Sequence, residues 1–206
     1  MSVGKSICSV ISAGCARYGI RSGLSGIDLF NEALDELFHA CPRISISDVD
    51  AVYVGQGFES FEHRANVAPG FSNNYGFRNL PALRVESVSS SGGSCLRQGI
   101  LGILSGTYKV VVCAGVEKMT SVETSTALEI ISEASDRPFE QWNGATLSAL
   151  NALAAREHMR IYGTTEEQMA FVAVKNHENA IANEKAFLRK KITIQDVLSS
   201  ARSAHR

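Results

Sequence analysis

The chain has 206 residues, 45% of them hydrophobic, with 20 Lys and Arg against 21 Asp and Glu. That length makes one large domain or two small ones, enough to bury roughly 70% of the unfolded surface. A formal net charge of −1 supplies no basic field for a nucleic-acid backbone. Apolar runs such as Val110-Val111-Val112-Cys113-Ala114 end far short of the roughly 20 residues a bilayer span needs. No nucleic-acid partner and no membrane span are therefore expected. Cys8, Cys15, Cys41, Cys95 and Cys113 are odd in number and scattered, with no C-x-x-C. This is the usage of a reducing compartment, a cytoplasm or an organelle matrix, where Cys packs as a small apolar residue. The histidines lack ligand spacing, so no metal site is expected.

Residues 6–13 read as a buried strand that Gly14 ends; the overlapping run 7–16 imitates a short signal segment, but Val10 and Ile11 between small residues favour the strand. After a loop over residues 19–26, Ile27, Phe30, Ala33, Leu34, Leu37 and Phe38 recur at three and four residue spacing. They predict an amphipathic helix closed by Cys41-Pro42. A second strand is expected over residues 50–54, a loop over residues 56–79 and a third strand over residues 82–88. A helix over residues 91–105 is stopped by Gly106, and a strongly apolar fourth strand covers residues 108–114. Strands alternating with helices pair in parallel, so this part of the chain reads as an α/β layer.

Beyond Glu117 no strand run stands out, and helical pattern dominates residues 142–162 and 165–182. Thr164 is placed to cap the second of these helices, with Glu167 or Gln168 reaching back to free amides. Residues 192–198 suit a short strand turn or a helix.

The most informative stretch is Val85-Glu86-Ser87-Val88-Ser89-Ser90-Ser91-Gly92-Gly93, a strand end running through a glycine turn into a helix. In a parallel sheet it lies at the carboxyl edge, where ligand sites of open α/β sheets form. The free amides of such a helix start stabilise an anion, whether an ionised nucleophile or a developing oxyanion. The same residues would equally make a Ser-rich tight turn that caps a helix.

From that turn through Leu96-Arg97, the chain resembles the thiolase superfamily, most closely the sterol-carrier-protein-type and archaeal-like thiolases. The likeness continues in order through Ser105-Gly106-Thr107-Tyr108-Lys109, Gly115-Val116-Glu117-Lys118-Met119-Thr120 and Asn143-Gly144-Ala145-Thr146. It then runs through Ala155-Arg156-Glu157-His158-Met159, Tyr162-Gly163-Thr164-Thr165-Glu166-Glu167-Gln168 and Val174-Lys175-Asn176-His177. The resemblance implies an α/β fold in which a thiolase-like parallel-sheet layer, residues 1–116, is followed by a mostly helical loop domain, residues 117–206, both incomplete. It implies acyl transfer between CoA thioesters, of the acetyl-CoA C-acyltransferase type, with acyl-CoA or CoA as the partner molecule and no further cofactor. In the family a cysteine at the start of the buried helix takes the acyl group, activated by the helix start and a histidine.

Two departures limit what carries over. The Ser-Gly-Gly and Leu-Arg landmarks put Ser89 where the family has its nucleophilic cysteine, and Gly92 and Gly93 in the oxyanion turn. A hydroxyl is far harder to ionise than a thiol, so thiolase chemistry is expected to be lost or very slow. Cys95, six residues on and within the helix, is expected to pack. Thiolases are also about twice this length, and their remaining catalytic His and Cys lie in the later half. A truncated gene product, a fragment and a divergent short form all fit. Apolar faces that thiolases bury between halves predict a homo-oligomer or a complementary chain. The alternative is a noncatalytic acyl-CoA-binding or interaction protein on the same fold. A third reading is an acyltransferase that uses Ser89 with a base from a partner chain.

Gly55-Gln56-Gly57-Phe58 imitates a dinucleotide fingerprint but lacks its third glycine, and neither G-x-S-x-G nor a P-loop is present. Arg156, Arg160 and Lys175 beside His158 and His177 are expected on solvated helix faces, with phosphate contact the rival reading. Trp142 and Phe139 are expected to pack the helical part against the sheet.

Overall fold

The computed structural model describes residues 8–200. Two compact units divide them: residues 8–16 with 21–122, and residues 17–20 with 123–200.

The first unit is built on β1 (Ala51–Gly55), whose five residues are all buried. A strand of apolar, β-branched and aromatic residues with no polar alternation has both faces covered. β2 (Ala82–Val85) and β3 (Val111–Gly115) flank it in parallel, in the order β2-β1-β3, pairing Val52 with Ala82 and with Val112. Val52, Val54 and Val112 face a cluster with Phe30 and Leu34 of α1 (Gly26–Ala40) and Val67, Ala68 and Phe71 of α2 (Val67–Tyr75). The opposite face takes α3 (Ser91–Leu104), which packs on β1 and β3 through Ser91, Cys95 and Gly99. The connection leaving β1 thus runs to one face and the one leaving β2 to the other. The loops diverge at the carboxyl ends of the strands, which opens a crevice there.

α1 starts where expected because Ser25 and Asp28 form a reciprocal capping box. The segment expected as the first strand does otherwise. Residues 8–13 pair with no described strand, and Val10 and Ile11 are 79% and 56% exposed. Ser12 Oγ donates to the Leu37 carbonyl and the Cys15 amide to Glu36, so the segment follows α1. Residues 6 and 7 of that expected strand lie outside the described residues. The expected loop over residues 56–79 contains α2. β3 starts three residues later than expected, because the Lys109 and Val110 amides bond the Asp50 carboxylate, at 2.6 and 3.0 Å, before the strand begins.

The second unit is helical: α4 (Thr124–Ser132), α5 (Leu147–Tyr162), α6 (Glu166–Ile181) and α7 (Ile194–Leu198). α4 packs with α5 and α6 with α7, and Ala127, Ile130 and Ala170 are buried. α4 was not expected. The helix expected from Trp142 starts at Leu147, since Gly144 takes φ 76° and Thr146 caps the first turn. Thr165, not Thr164, caps α6, in a capping box with Gln168. Phe139 and Trp142 are 80% and 73% exposed. Arg160 pairs with Glu157 along α5, His158 Nδ1 lies 3.1 Å from Thr164 Oγ1, and the His177 ring lies 3.1 Å from the Lys190 carbonyl. No helix among the described residues is long and apolar enough to cross a membrane.

Candidate functional site

At the carboxyl edge of the first unit, β2 ends after Val85 and the chain turns through a short 3-10 segment, Val88–Ser90, directly into α3. Local side chains set this turn. Ser91 Oγ accepts the Ser87 amide at 2.9 Å and donates to the Val88 carbonyl at 2.7 Å. Ser90 Oγ donates to the Ser87 carbonyl at 2.8 Å, and Glu86 Oε1 accepts the Val88 amide at 2.6 Å. These bonds draw the backbone out of the ladder and end β2 three residues earlier than expected. They also hold Val88 at φ 47°, the left-handed region, which a β-branched residue enters only under constraint. Such strain collects at functional turns.

Ser89 occupies the middle of that turn and is exposed. The side-chain hydrogen bonds that fix the turn run among Ser87, Val88, Ser90 and Ser91, and the Ser89 hydroxyl takes no part in them. Gly92 and Gly93 follow as the second and third residues of α3, exposed, with open space where side chains would stand. The Ser91 amide donates to the Val88 carbonyl, and Ser90 makes no side-chain cap bond to the amides that follow at the positive end of the helix dipole. The three residues singled out from the sequence therefore share one turn.

Neighbouring strands hold the turn in place. A Cβ at Gly55 would stand 2.9 Å from the Ser91 carbonyl oxygen, so the end of β1 touches the start of α3 as only glycine allows. A Cβ at Gly57 would stand 3.1 Å from the Val88 carbonyl oxygen. Glu117, after β3, accepts the Gly57 and Phe58 amides, and desolvation pushes its carboxyl above the ordinary carboxylate range against the pull of those donors. Arg84 pairs with Glu59, and Gln56 is 1% exposed with its Oε1 unmatched. Lys118 is buried too, with Nζ on Thr120 Oγ1. Sequence reasoning missed Gln56, Glu59, Arg84, Glu117 and Lys118 as a group, since they converge only once the three strand ends lie side by side. Among the described residues no cluster of three or more His, Cys, Asp or Glu is placed to hold a metal ion.

The model of the thiolase N-terminal domain matches residues 9–199. The chain belongs to the thiolase family. An acetyl-CoA acetyltransferase of Methanothermobacter thermautotrophicus is 41% identical over 155 residues, which is 75% of this chain and 40% of that protein. Among solved structures, an Ltp2-ChsH2(DUF35) aldolase superposes with TM-score 0.74 at 24% identity, over 94% of this chain and 48% of the other. Human mitochondrial 3-ketoacyl-CoA thiolase in complex with CoA superposes with TM-score 0.69 at 14% identity, over 91% of this chain and 56% of that one. These superpositions establish the thiolase fold. The chain spans about two fifths of the length of the archaeal relatives it matches.

Proposed function

We propose that this chain carries the acyl-transfer turn of a thiolase-type enzyme acting on acyl-CoA thioesters. In this reading Ser89 stands at the position of the acyl-accepting nucleophile, and the amides of Gly92 and Gly93 face the thioester oxygen. The observation that supports it is the turn: a left-handed Val88, an exposed Ser89, and a helix start that no N-cap side chain caps. Amides aimed at the place where charge develops lower the barrier to acyl transfer. They do so most for a nucleophile that ionises. A thiol with a pKa near 8.5 does so readily beside a helix start, and a serine hydroxyl does not. Acyl transfer by this chain is accordingly very slow.

The serine itself favours a second reading, a noncatalytic module that binds acyl-CoA or a partner on the same fold. One experiment separates the two. The chain and its Ser89→Cys variant are incubated with acetoacetyl-CoA, covalent acyl groups are read by intact mass, and CoA affinity is measured by calorimetric titration. An acyl adduct on the variant, absent or trace on the parent chain, is the expected result. Saturable CoA binding with no adduct on either replaces it with the binding module. Neither adduct nor binding overturns both.

A further inference from the structure

Away from the Ser87–Ser91 turn, two thiols meet between α3 and β3. Cys95, one turn into α3, packs as expected and is 1% exposed; Cys113 is the middle residue of β3 and half-buried. Their contacts cross. Cys113 Sγ lies 3.6 Å from the Cys95 carbonyl oxygen, and Cys95 Sγ lies 3.6 Å from the carbonyl oxygen of Ala114. Gly99, one helical turn after Cys95, makes the room: a Cβ there would stand 2.5 Å from Cys113 Sγ. Strand and helix thus approach closely at this point, as a disulfide requires.

The pair is unequal. Cys113 lines a cavity of about 220 Å³ whose walls include Leu37, Ile100, Ile103 and Val111, while Cys95 lies behind it. The neighbouring Cys95 thiol holds the Cys113 thiol below its ordinary range. The closeness of Cys113, together with burial, pushes Cys95 up. A thiol on a cavity wall backed by a second, buried thiol is the arrangement of an attacking and a resolving cysteine.

We propose that Cys113 and Cys95 form a reversible intramolecular disulfide when a peroxide enters this cavity. The Cys113 thiolate attacks one peroxide oxygen; the S–O bond forms, the O–O bond breaks, and the departing hydroxide takes up a proton to leave as water. Cys95 then loses its proton and attacks the sulfenic sulfur, so that S–S forms, S–O breaks and a second water leaves. Two thiols are oxidised by two electrons and one hydrogen peroxide is reduced to two waters. The bond would pin the middle of β3 to α3 behind the Ser89 turn.

The test uses the whole chain, reduced, exposed to hydrogen peroxide, then alkylated under denaturing conditions and digested with trypsin. Cleavage after Arg97 and Lys109 puts the two cysteines in separate peptides. The expected product is lighter by two hydrogen atoms, joins the Cys95 and Cys113 peptides, and reverts with dithiothreitol. In Cys95→Ala that product disappears, and dimedone traps a sulfenic acid at Cys113. If Cys95→Ala does not fold, the peptide map of the parent chain decides alone. A bond from Cys113 to Cys8 or Cys41, which share the cavity, would overturn the proposal. So would a disulfide between two chains, dimedone on Cys95, or five alkylated cysteines after peroxide.

Discussion

Glu117 and Gly57 join the carboxyl ends of β3 and β1: Glu117 Oε1 accepts the Gly57 amide at 2.5 Å and the Phe58 amide at 3.1 Å. This carboxylate closes the loop that passes beneath the Ser89 turn, since Gly57 in turn touches the Val88 carbonyl. Removing the acceptor leaves two amides to find water, and Glu117→Ala is expected to cost about 1 kcal/mol in urea denaturation. Burial raises the Glu117 pKa on folding, so its contribution is full below the unfolded value and is lost as pH rises through the folded one. A neutral carboxamide keeps an acceptor and escapes that loss. The stability of Glu117→Gln relative to the parent chain should therefore rise between about pH 4 and pH 7. A relative stability that falls over this range would show that the amide bonds to the anion outweigh its desolvation.

Asp50 predicts the opposite sign. Its carboxylate accepts the Lys109 and Val110 amides, and those two bonds hold its pKa below the ordinary range. The contribution is present above the unfolded pKa near 3.9 and disappears as pH falls through the lower folded value. Thermal melts across this acid range should show a shallower decline for Asp50→Asn than for the parent chain. The two should converge at the acid end. Parallel curves would mean that the start of β3 is held by something else.

The parts of the fold written in side-chain pattern were legible. β1, α1 and α3 carry their own evidence in apolar spacing, and the Ser87–Gly93 stretch shows its turn chemistry directly. Features that need a partner from elsewhere in the chain were not. Residues 8–13 have the composition of a strand, but a strand exists only beside another, and this segment instead spends its polar groups on Leu37 and Glu36 of α1. The start of β3 depends on a carboxylate 59 residues away in sequence. The polar group of Gln56, Arg84 and Glu117 likewise comes from three different strand ends.

Gly55 tests the contact that seats the turn on the sheet. The nearest atoms to a new Cβ are the Ser91 carbonyl oxygen at 2.9 Å and the Gly92 amide at 3.2 Å, all of them backbone. No side chain can rotate away, so either β1 or the start of α3 must move. Gly55→Ala should lose roughly 2–3 kcal/mol on denaturation, the range of overpacked interiors. It should also displace the amide resonances of Gly92 and Gly93. Loss of stability without movement of those resonances would place the strain in β1 alone.

Val88 tests the left-handed geometry of the turn. Its φ of 47° costs a β-branched residue about 1–2 kcal/mol, which glycine would recover. Against that recovery stand the loss of a partly buried side chain and the added freedom of glycine in the unfolded chain, each about 1 kcal/mol. These effects oppose one another, so Val88→Gly should change stability by less than about 1 kcal/mol. Val54 supplies the control, because it is fully buried in an ordinary extended strand. There glycine recovers no strain and opens a cavity, and Val54→Gly should cost about 3 kcal/mol or more. Equal losses at the two positions in parallel urea titrations would mean that Val88 is not strained, and the turn that presents Ser89 would have to be drawn differently.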